Sequence, residues 1–208
     1  MNPKDVLFLD YEPISQLVTK ETEVTRARFP AIDGHNHLRR VAHDPGLISE
    51  YVEAMDECNV QAVVDLDGGC GEHLSQRLDA FAKFPGRFHV FCHVDMADVD
   101  DPSFSDKAVA ELEDSVRRGA KGLKLFKSLG LAVKTRDGKY LPIDTSKLDP
   151  IWARCGELGI PVLIHTGDPA AFFTPLDRHN ERLRELADHP NWLFVDEEYY
   201  TKAELLEQ

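Results

Sequence analysis

Short apolar runs alternate with longer amphipathic stretches along most of this chain. The runs cover residues 29–33 (FPAID), 60–66 (VQAVVDL), 87–94 (RFHVFCHV), 120–126 (AKGLKLF) and 160–165 (IPVLIH). They are rich in β-branched and aromatic residues and give way to polar residues or glycine, the pattern of strands buried on both faces. The stretches between them carry helical spacing. Leu47, Ile48, Tyr51, Val52, Met55 and Cys58 share one face of a helix expected over 46–59. Leu74, Leu78, Phe81 and Ala82 do so over 72–84, and Ala108, Val109, Leu112 and Val116 over 105–118. Leu148, Ile151, Trp152, Cys155 and Leu158 mark a fourth helix over 147–158. A further helix is expected over 177–188 and the start of another over 201–208, while WLFV (192–195) is too short to assign.

Strand and helix thus alternate five times, which implies parallel strands joined by right-handed crossovers. The strands recur about every thirty residues, rising to about forty before the fifth, the repeat of a ~250-residue (β/α)₈ barrel. The expected fold class is therefore α/β, of the (β/α)₈ TIM-barrel type, with about the first five βα units present. Residues 1–29 are polar and aperiodic and read as a lead-in, leaving 30–208 as a partial barrel domain. Residues 131–147 are polar, contain an Asp137-Gly138 turn, and read as a small hairpin or lid after the fourth strand.

Composition narrows the function. The 208 residues are 42% hydrophobic and 29% charged, with a net charge of −13. An acidic balance argues against a nucleic-acid partner, whose phosphates call for clustered Lys and Arg. Cys58, Cys70, Cys92 and Cys155 are far apart and read as free thiols in a reducing compartment. No run approaches the ~18 apolar residues of a membrane span, and the N-terminus lacks the basic start and apolar core of a secretory signal. The expectation is a cytoplasmic protein without a membrane partner. No GxGxxG or GxxxxGK[ST] follows a strand, which leaves dinucleotide and P-loop readings without support.

The clearest chemical signal is Asp33-Gly34-His35-Asn36-His37, just past the first strand. Alternate residues of an extended segment point the same way. His35 and His37 can therefore face one cation at the C-terminal rim, where barrel active sites sit; the other reading is two solvated loop histidines. His165, in PVLIHTGDP, ends the fifth strand on the same rim. Alone it would pass for a satisfied core histidine; beside an HxH pair it fits a site of nitrogen ligands, the set zinc and its neighbours prefer. Lys124 lies in GAKGLKLFKSLG on the fourth strand, where a buried lysine needs a role or a partner. Alternation places it opposite Lys121 and Lys127, so either Lys124 or Lys127 faces the site. Asp67, in VDLDGGCGE, could bind substrate or simply make a turn. His93 and Asp95 end the third strand and could line the pocket floor. Phe172 and Phe173 follow the fifth and could wall a substrate pocket or pack beneath a loop.

These residues carry a family resemblance. An HxH after the first strand, a Lys on the fourth and a His on the fifth resemble the amidohydrolase superfamily. DGHNHL, GAKGLKLFKSLG and IPVLIHTGDP are most similar to its amidohydrolase-2 branch, over about residues 27–208. The resemblance implies a barrel holding one or two divalent metal ions, with zinc first among them, and hydrolysis of an amide, ester or lactone of a small-molecule substrate. It makes His35, His37 and His165 metal ligands, and Lys124 the fourth-strand residue that is a bridging carbamylated lysine in dinuclear members. Asp67, His93, Lys127 and Phe172 are candidates for substrate contact. Non-oxidative decarboxylation at the same site is the alternative activity. The family also uses a His on the sixth strand and an Asp general base on the eighth, which the five units read here do not contain. The chain is therefore expected to be a truncated barrel, poorly active and prone to self-association through open sheet edges, or a non-catalytic one.

Overall fold

The computed structural model describes residues 22–177 and 179–208. Residues 1–21 of the expected lead-in lie outside that range. Residues 22–29 form no helix or strand, but part of them is anchored. The Arg26 guanidinium donates to the carbonyls of Asp56 and Glu57, both at 2.6 Å, and Asn59 Nδ2 donates to the Ala27 carbonyl at 2.9 Å.

Five strands form one sheet in sequential order: β1 (Ala31–Asn36), β2 (Val60–Asp65), β3 (Phe88–Cys92), β4 (Gly122–Leu125) and β5 (Val162–Ile164). Every adjacent pair is parallel. Helices α1 (Pro45–Cys58), α2 (Gly71–Phe81), α3 (Phe104–Arg118) and α4 (Asp149–Leu158) fill the crossovers. This is the partial (β/α) barrel that the repeat predicts. The strand β1 starts two residues later than its apolar run and continues through Asp33, Gly34 and His35, because pairing with β2 extends past the hydrophobic residues.

Local chemistry sets the helix ends. The Asp44 side chain accepts from the amides of Gly46 and Leu47 and opens α1, and Asn59 closes it in the left-handed region at φ 60°. Gly159 closes α4 in the same way, at φ 65°. The last third departs from expectation. The helix expected over 177–188 is confined to α5 (Leu183–Asp188), preceded by a one-turn 3-10 segment at Ala170–Phe173. WLFV adds no strand; the Phe194 amide instead donates to the Phe172 carbonyl at 2.7 Å. The last helix, α6 (Lys202–Glu207), opens on a Thr201/Glu204 capping box. Residues 131–147 form an abbreviated hairpin, with one antiparallel bridge between Lys134 and Tyr140.

Burial separates two cores. The main one packs Val63, Val90, Cys92, Leu123 and Leu125 of the sheet against Ile48, Met55, Leu74, Leu112 and Ile151 of the helices. A fully buried leucine or isoleucine contributes about 1.5–3 kcal/mol, so this layer dominates the folding energy. The second core gathers Leu131, Phe172, Leu186, Phe194 and Leu205 from the segments after β4 and β5. Leu123 and Leu125 face the helices, so Lys124 between them points to the inner side of the sheet. Gly122 points there too. A Cβ on it would fall 2.5 Å from the Phe91 ring, which lies across β4 at that register. The absence of a side chain at Gly122 lets Phe91 occupy the barrel floor.

Candidate functional site

The HxH segment leaves the sheet at its C-terminal rim, as strand alternation requires. The Asp33 carboxylate accepts from the His35 amide at 3.0 Å and from Asn36 Nδ2 at 2.7 Å, and Asn36 also meets the Tyr51 hydroxyl at 3.0 Å. These bonds hold the outward face of the segment against α1. The imidazoles of His35 and His37 then meet edge to face, with ring centres 5.4 Å apart. His37 Nδ1 lies 3.0 Å from Asp67 Oδ1. Burial alone would raise the Asp67 carboxyl, but His37 and then Arg39 outweigh it and hold Asp67 below the ordinary carboxylate range. An ionised Asp67 can only accept, so the proton of this contact sits on His37 Nδ1, and Nε2 is the nitrogen turned away from Asp67. Metal-binding histidines are commonly oriented in this way.

Asp67 is 3% exposed and does more than form a turn. Its loop lies close to β3 because residue 68 is glycine: a Cβ there would fall 2.2 Å from the Phe91 carbonyl oxygen. The same loop receives His93, whose amide donates to the Gly69 carbonyl at 2.8 Å and whose Nε2 lies 2.8 Å from the Leu66 carbonyl. Burial, with smaller contributions from His73 and Lys124, holds His93 below the ordinary histidine pKa. Asp95 is exposed and accepts from the Ala97 amide at 2.9 Å, so it caps a turn away from His93.

Lys124 is 1% exposed, and its ammonium has no hydrogen-bond partner among the described residues. Burial pushes its pKa down. The nearest aromatic face is Phe126, with the ammonium 5.2 Å from the ring centre. Phe126 also stacks 6.0 Å from His37 and meets His93 edge-on at 4.9 Å. Residues from the ends of β1, β3 and β4 thus surround one ring, with Asp67 bonded to His37. Lys127, by contrast, is committed elsewhere. Its ammonium donates to both Asp168 carboxylate oxygens, at 3.0 and 2.8 Å, beneath Trp192 at 5.4 Å and Phe172 at 5.9 Å. Phe172 is 3% exposed and forms part of the second core.

His165 follows β5, its amide donating to the Leu125 carbonyl at 3.0 Å. Although the residue as a whole is exposed, partial desolvation of the ring, then the Lys124 charge, shifts its pKa below the ordinary histidine value. The three histidines do not converge as the sequence predicts. Among the described residues no group of three His, Cys, Asp or Glu side chains is placed to hold a metal ion. The reason is topological: β1 and β5 are opposite ends of the sheet. Four strand spacings of about 4.8 Å separate them along the arc, and only curvature shortens that path. The donor chemistry suits a divalent ion; the positions supply the His35–His37 pair, with His165 apart on the same rim.

A sequence profile described as Amidohydrolase matches residues 32–196. The chain belongs to the amidohydrolase family. The match runs from within β1 to Asp196, short of Leu205 in the second core, and so includes His35, His37, Lys124 and His165. Comparison with curated proteins and with solved structures returns no match. Membership places the chain among hydrolases and related lyases. Among the described residues no helix is long and apolar enough to cross a membrane.

Sequence reasoning missed three participants. Asp65 and Arg77 form a buried pair beneath the HxH loop, and Phe126 joins the candidate residues. Each left a trace. Asp65 is a charge inside an apolar strand run, and Arg77 shares the inward face of α2 with Leu74 and Phe81. Such charges are rarely buried without a structural purpose.

Proposed function

We propose that this amidohydrolase-family protein is a metal-dependent hydrolase of an amide, ester or lactone bond in a small molecule. His35 and His37 would hold the ion as a pair, and His165, which stands apart on the same rim, would complete the ligand set only with β5 drawn toward β1; zinc is the favoured choice for imidazole donors. When bound, such an ion supplies Lewis-acid chemistry, polarising a carbonyl and acidifying water. The observation that carries the reading is His37: its Nδ1 lies 3.0 Å from the buried Asp67 carboxylate, which turns Nε2 away from that contact at the barrel rim beside His35. Around that pair each residue has a task. Asp67 orients His37. Partial desolvation and the Lys124 charge disfavour protonation of His165. Lys124 offers N–H donors that no protein group takes up, suited to a substrate oxygen or carboxylate. Phe126 and His93 supply an aromatic wall. Lys127 and Phe172 sit further out and would contact only a larger substrate.

The unpaired ammonium of Lys124 also favours a second reading, non-oxidative decarboxylation, because a buried cation is a receptor for a substrate carboxylate. We place the domain at 30–208 with 1–29 as lead-in, and the protein in the cytoplasm, where free thiols such as the four here persist. The test is elemental analysis of purified protein beside a screen of ester, lactone and amide hydrolysis with and without chelator. The wild type should carry a divalent ion, and the double variant His35→Ala/His37→Ala should lose most of it. Equal metal content in the two would overturn the reading.

A further inference from the structure

We propose that Asp65 is a positioning residue. With Arg77 it fixes the backbone on both sides of the His37–Asp67 contact and thereby sets which nitrogen His37 presents. This rests on the reading of His37 as a ligand, but the backbone geometry does not.

One oxygen makes the connection. Asp65 Oδ1 accepts from the amide of Leu38 at 3.1 Å and from the amide of Asp67 at 3.2 Å. Leu38 is the residue after His37, and Asp67 is the carboxylate that holds it. A single buried atom therefore ties the β1 loop to the β2 loop at the point where their side chains meet. Arg77, from α2, completes the brace. Its Nη1 donates to the Leu38 carbonyl at 3.1 Å, and its Nε stands 3.6 Å from Asp65 Oδ2. Asp65 thus takes the Leu38 amide, and Arg77 shares the Leu38 carbonyl with the Ala42 amide, which donates to it at 2.9 Å. Asp65 is 0% and Arg77 3% exposed, and an ion pair taken out of water needs further hydrogen bonds to offset desolvation. The bonds found here go to the two candidate site loops rather than to the surrounding core. Neither Leu38 nor Asp67 lies within a strand, so no sheet ladder would hold these amides without Asp65.

A charge-balancing role for Asp65 and a positioning role predict different variants. Asp65→Ala removes the acceptor. Asp65→Asn removes the charge but keeps an oxygen that can accept from both amides. Imidazole ¹⁵N spectra of the metal-free full chain report the His37 tautomer directly. The wild type should show the Nδ1–H form. Asp65→Ala should lose that preference, and Asp65→Asn should restore it. Zinc affinity, read by competition with a chromophoric chelator, should fall about 10-fold or more in Asp65→Ala, the lower end expected for a residue supporting a ligand, and recover in Asp65→Asn. A folded Asp65→Ala that retains the Nδ1–H form, or an Asp65→Asn as impaired as Asp65→Ala, overturns the proposal. If Asp65→Ala does not fold, hydrogen exchange of the wild type decides. The Leu38 and Asp67 amides should exchange as slowly as those of β2, and fast exchange at both overturns the brace. A wild type with the expected tautomer but no zinc affinity would refute the ligand reading and leave the brace standing.

Discussion

Replacing Lys124 with methionine should make the protein more stable at neutral pH. The lysine ammonium is buried, lacks a hydrogen-bond partner among the described residues, and sits 5.2 Å from the centre of the Phe126 ring. An unsatisfied buried polar group costs about 1–3 kcal/mol, and more when charged. The cation–π contact returns about 0.5–1 kcal/mol. Methionine keeps most of the aliphatic stem and fills a similar volume, so the cavity contribution is small. The net gain should be about 1–2 kcal/mol, which for a chain of this length is roughly 2–8 °C in Tm. The sign of the pH dependence follows from burial, which lowers the folded-state pKa of Lys124. Below that pKa the lysine is charged in both states and the folded state bears the full penalty. As pH rises from there to the unfolded value near 10.4, the folded lysine gives up its proton first and the wild type gains relative stability. Urea unfolding of wild type and Lys124→Met at pH 7 and pH 10.5 measures this. The gap should narrow at the higher pH. A variant less stable than wild type at pH 7, or a gap that does not change with pH, would refute the argument. If Lys124 also receives a substrate carboxylate, the stabilised variant should bind substrate less well, the usual exchange at a functional site.

Gly122→Ala should destabilise by about 1–3 kcal/mol through overpacking, since its Cβ would meet the Phe91 ring at 2.5–2.7 Å; adding Phe91→Leu should recover part of the loss in a double-mutant cycle. Of the four thiols, Cys58 is exposed and should react quickly with a disulfide reagent in native protein. Cys92, pushed up to about 12 by burial, and Cys155, pushed up to about 11 by burial, should react only on unfolding, with half-buried Cys70 slow. Ile32 on β1 and Ile164 on β5 are 63% and 41% exposed on the two edge strands, so sedimentation should show self-association, and Ile32→Lys with Ile164→Lys should reduce it. Unchanged sedimentation in that double variant would place any association elsewhere.

The five strands and four crossover helices are legible because their burial is periodic. VQAVVDL and the 105–118 stretch bury the residues that their spacing selects, among them Val63, Ala108 and Leu112. Legibility fails where structure depends on partners distant in sequence. WLFV is too short to assign from its composition, and its partner proves to be the backbone of Phe172 within the second core. The helix expected over 177–188 gives way because Asn180 is drawn inward, donating to the Ala171 carbonyl at 2.8 Å. At the candidate site, alternation places Lys124 on the inner face, opposite the core leucines of β4. It could not reveal that Lys127 would be held by Asp168, forty-one residues on, or that Asp67 would orient His37 across thirty. Those pairings belong to loops, whose course no local pattern fixes.

The same distinction bears on how the site is assembled. Residues from β1, β2, β3 and β4 already act on one another: Asp67 holds His37, and Phe126 touches His37, His93 and Lys124. His165 joins this patch through charge, chiefly that of Lys124, rather than through contact. Its strand is also the most weakly tied. β5 is three residues long, pairs among the described residues with β4 alone, and leaves Ile164 exposed, as the opposite edge strand leaves Ile32. Short edge strands with few buried neighbours open and shift at lower free-energy cost than central ones. The first four units therefore fix the position of the histidine pair, and under the proposed metal reading the lie of β5 would decide whether a third nitrogen reaches the same ion. On that reading metal affinity would be coupled to the curvature of the sheet: whatever steadies β5 would favour the third ligand, and by linkage an ion that recruits His165 would steady β5.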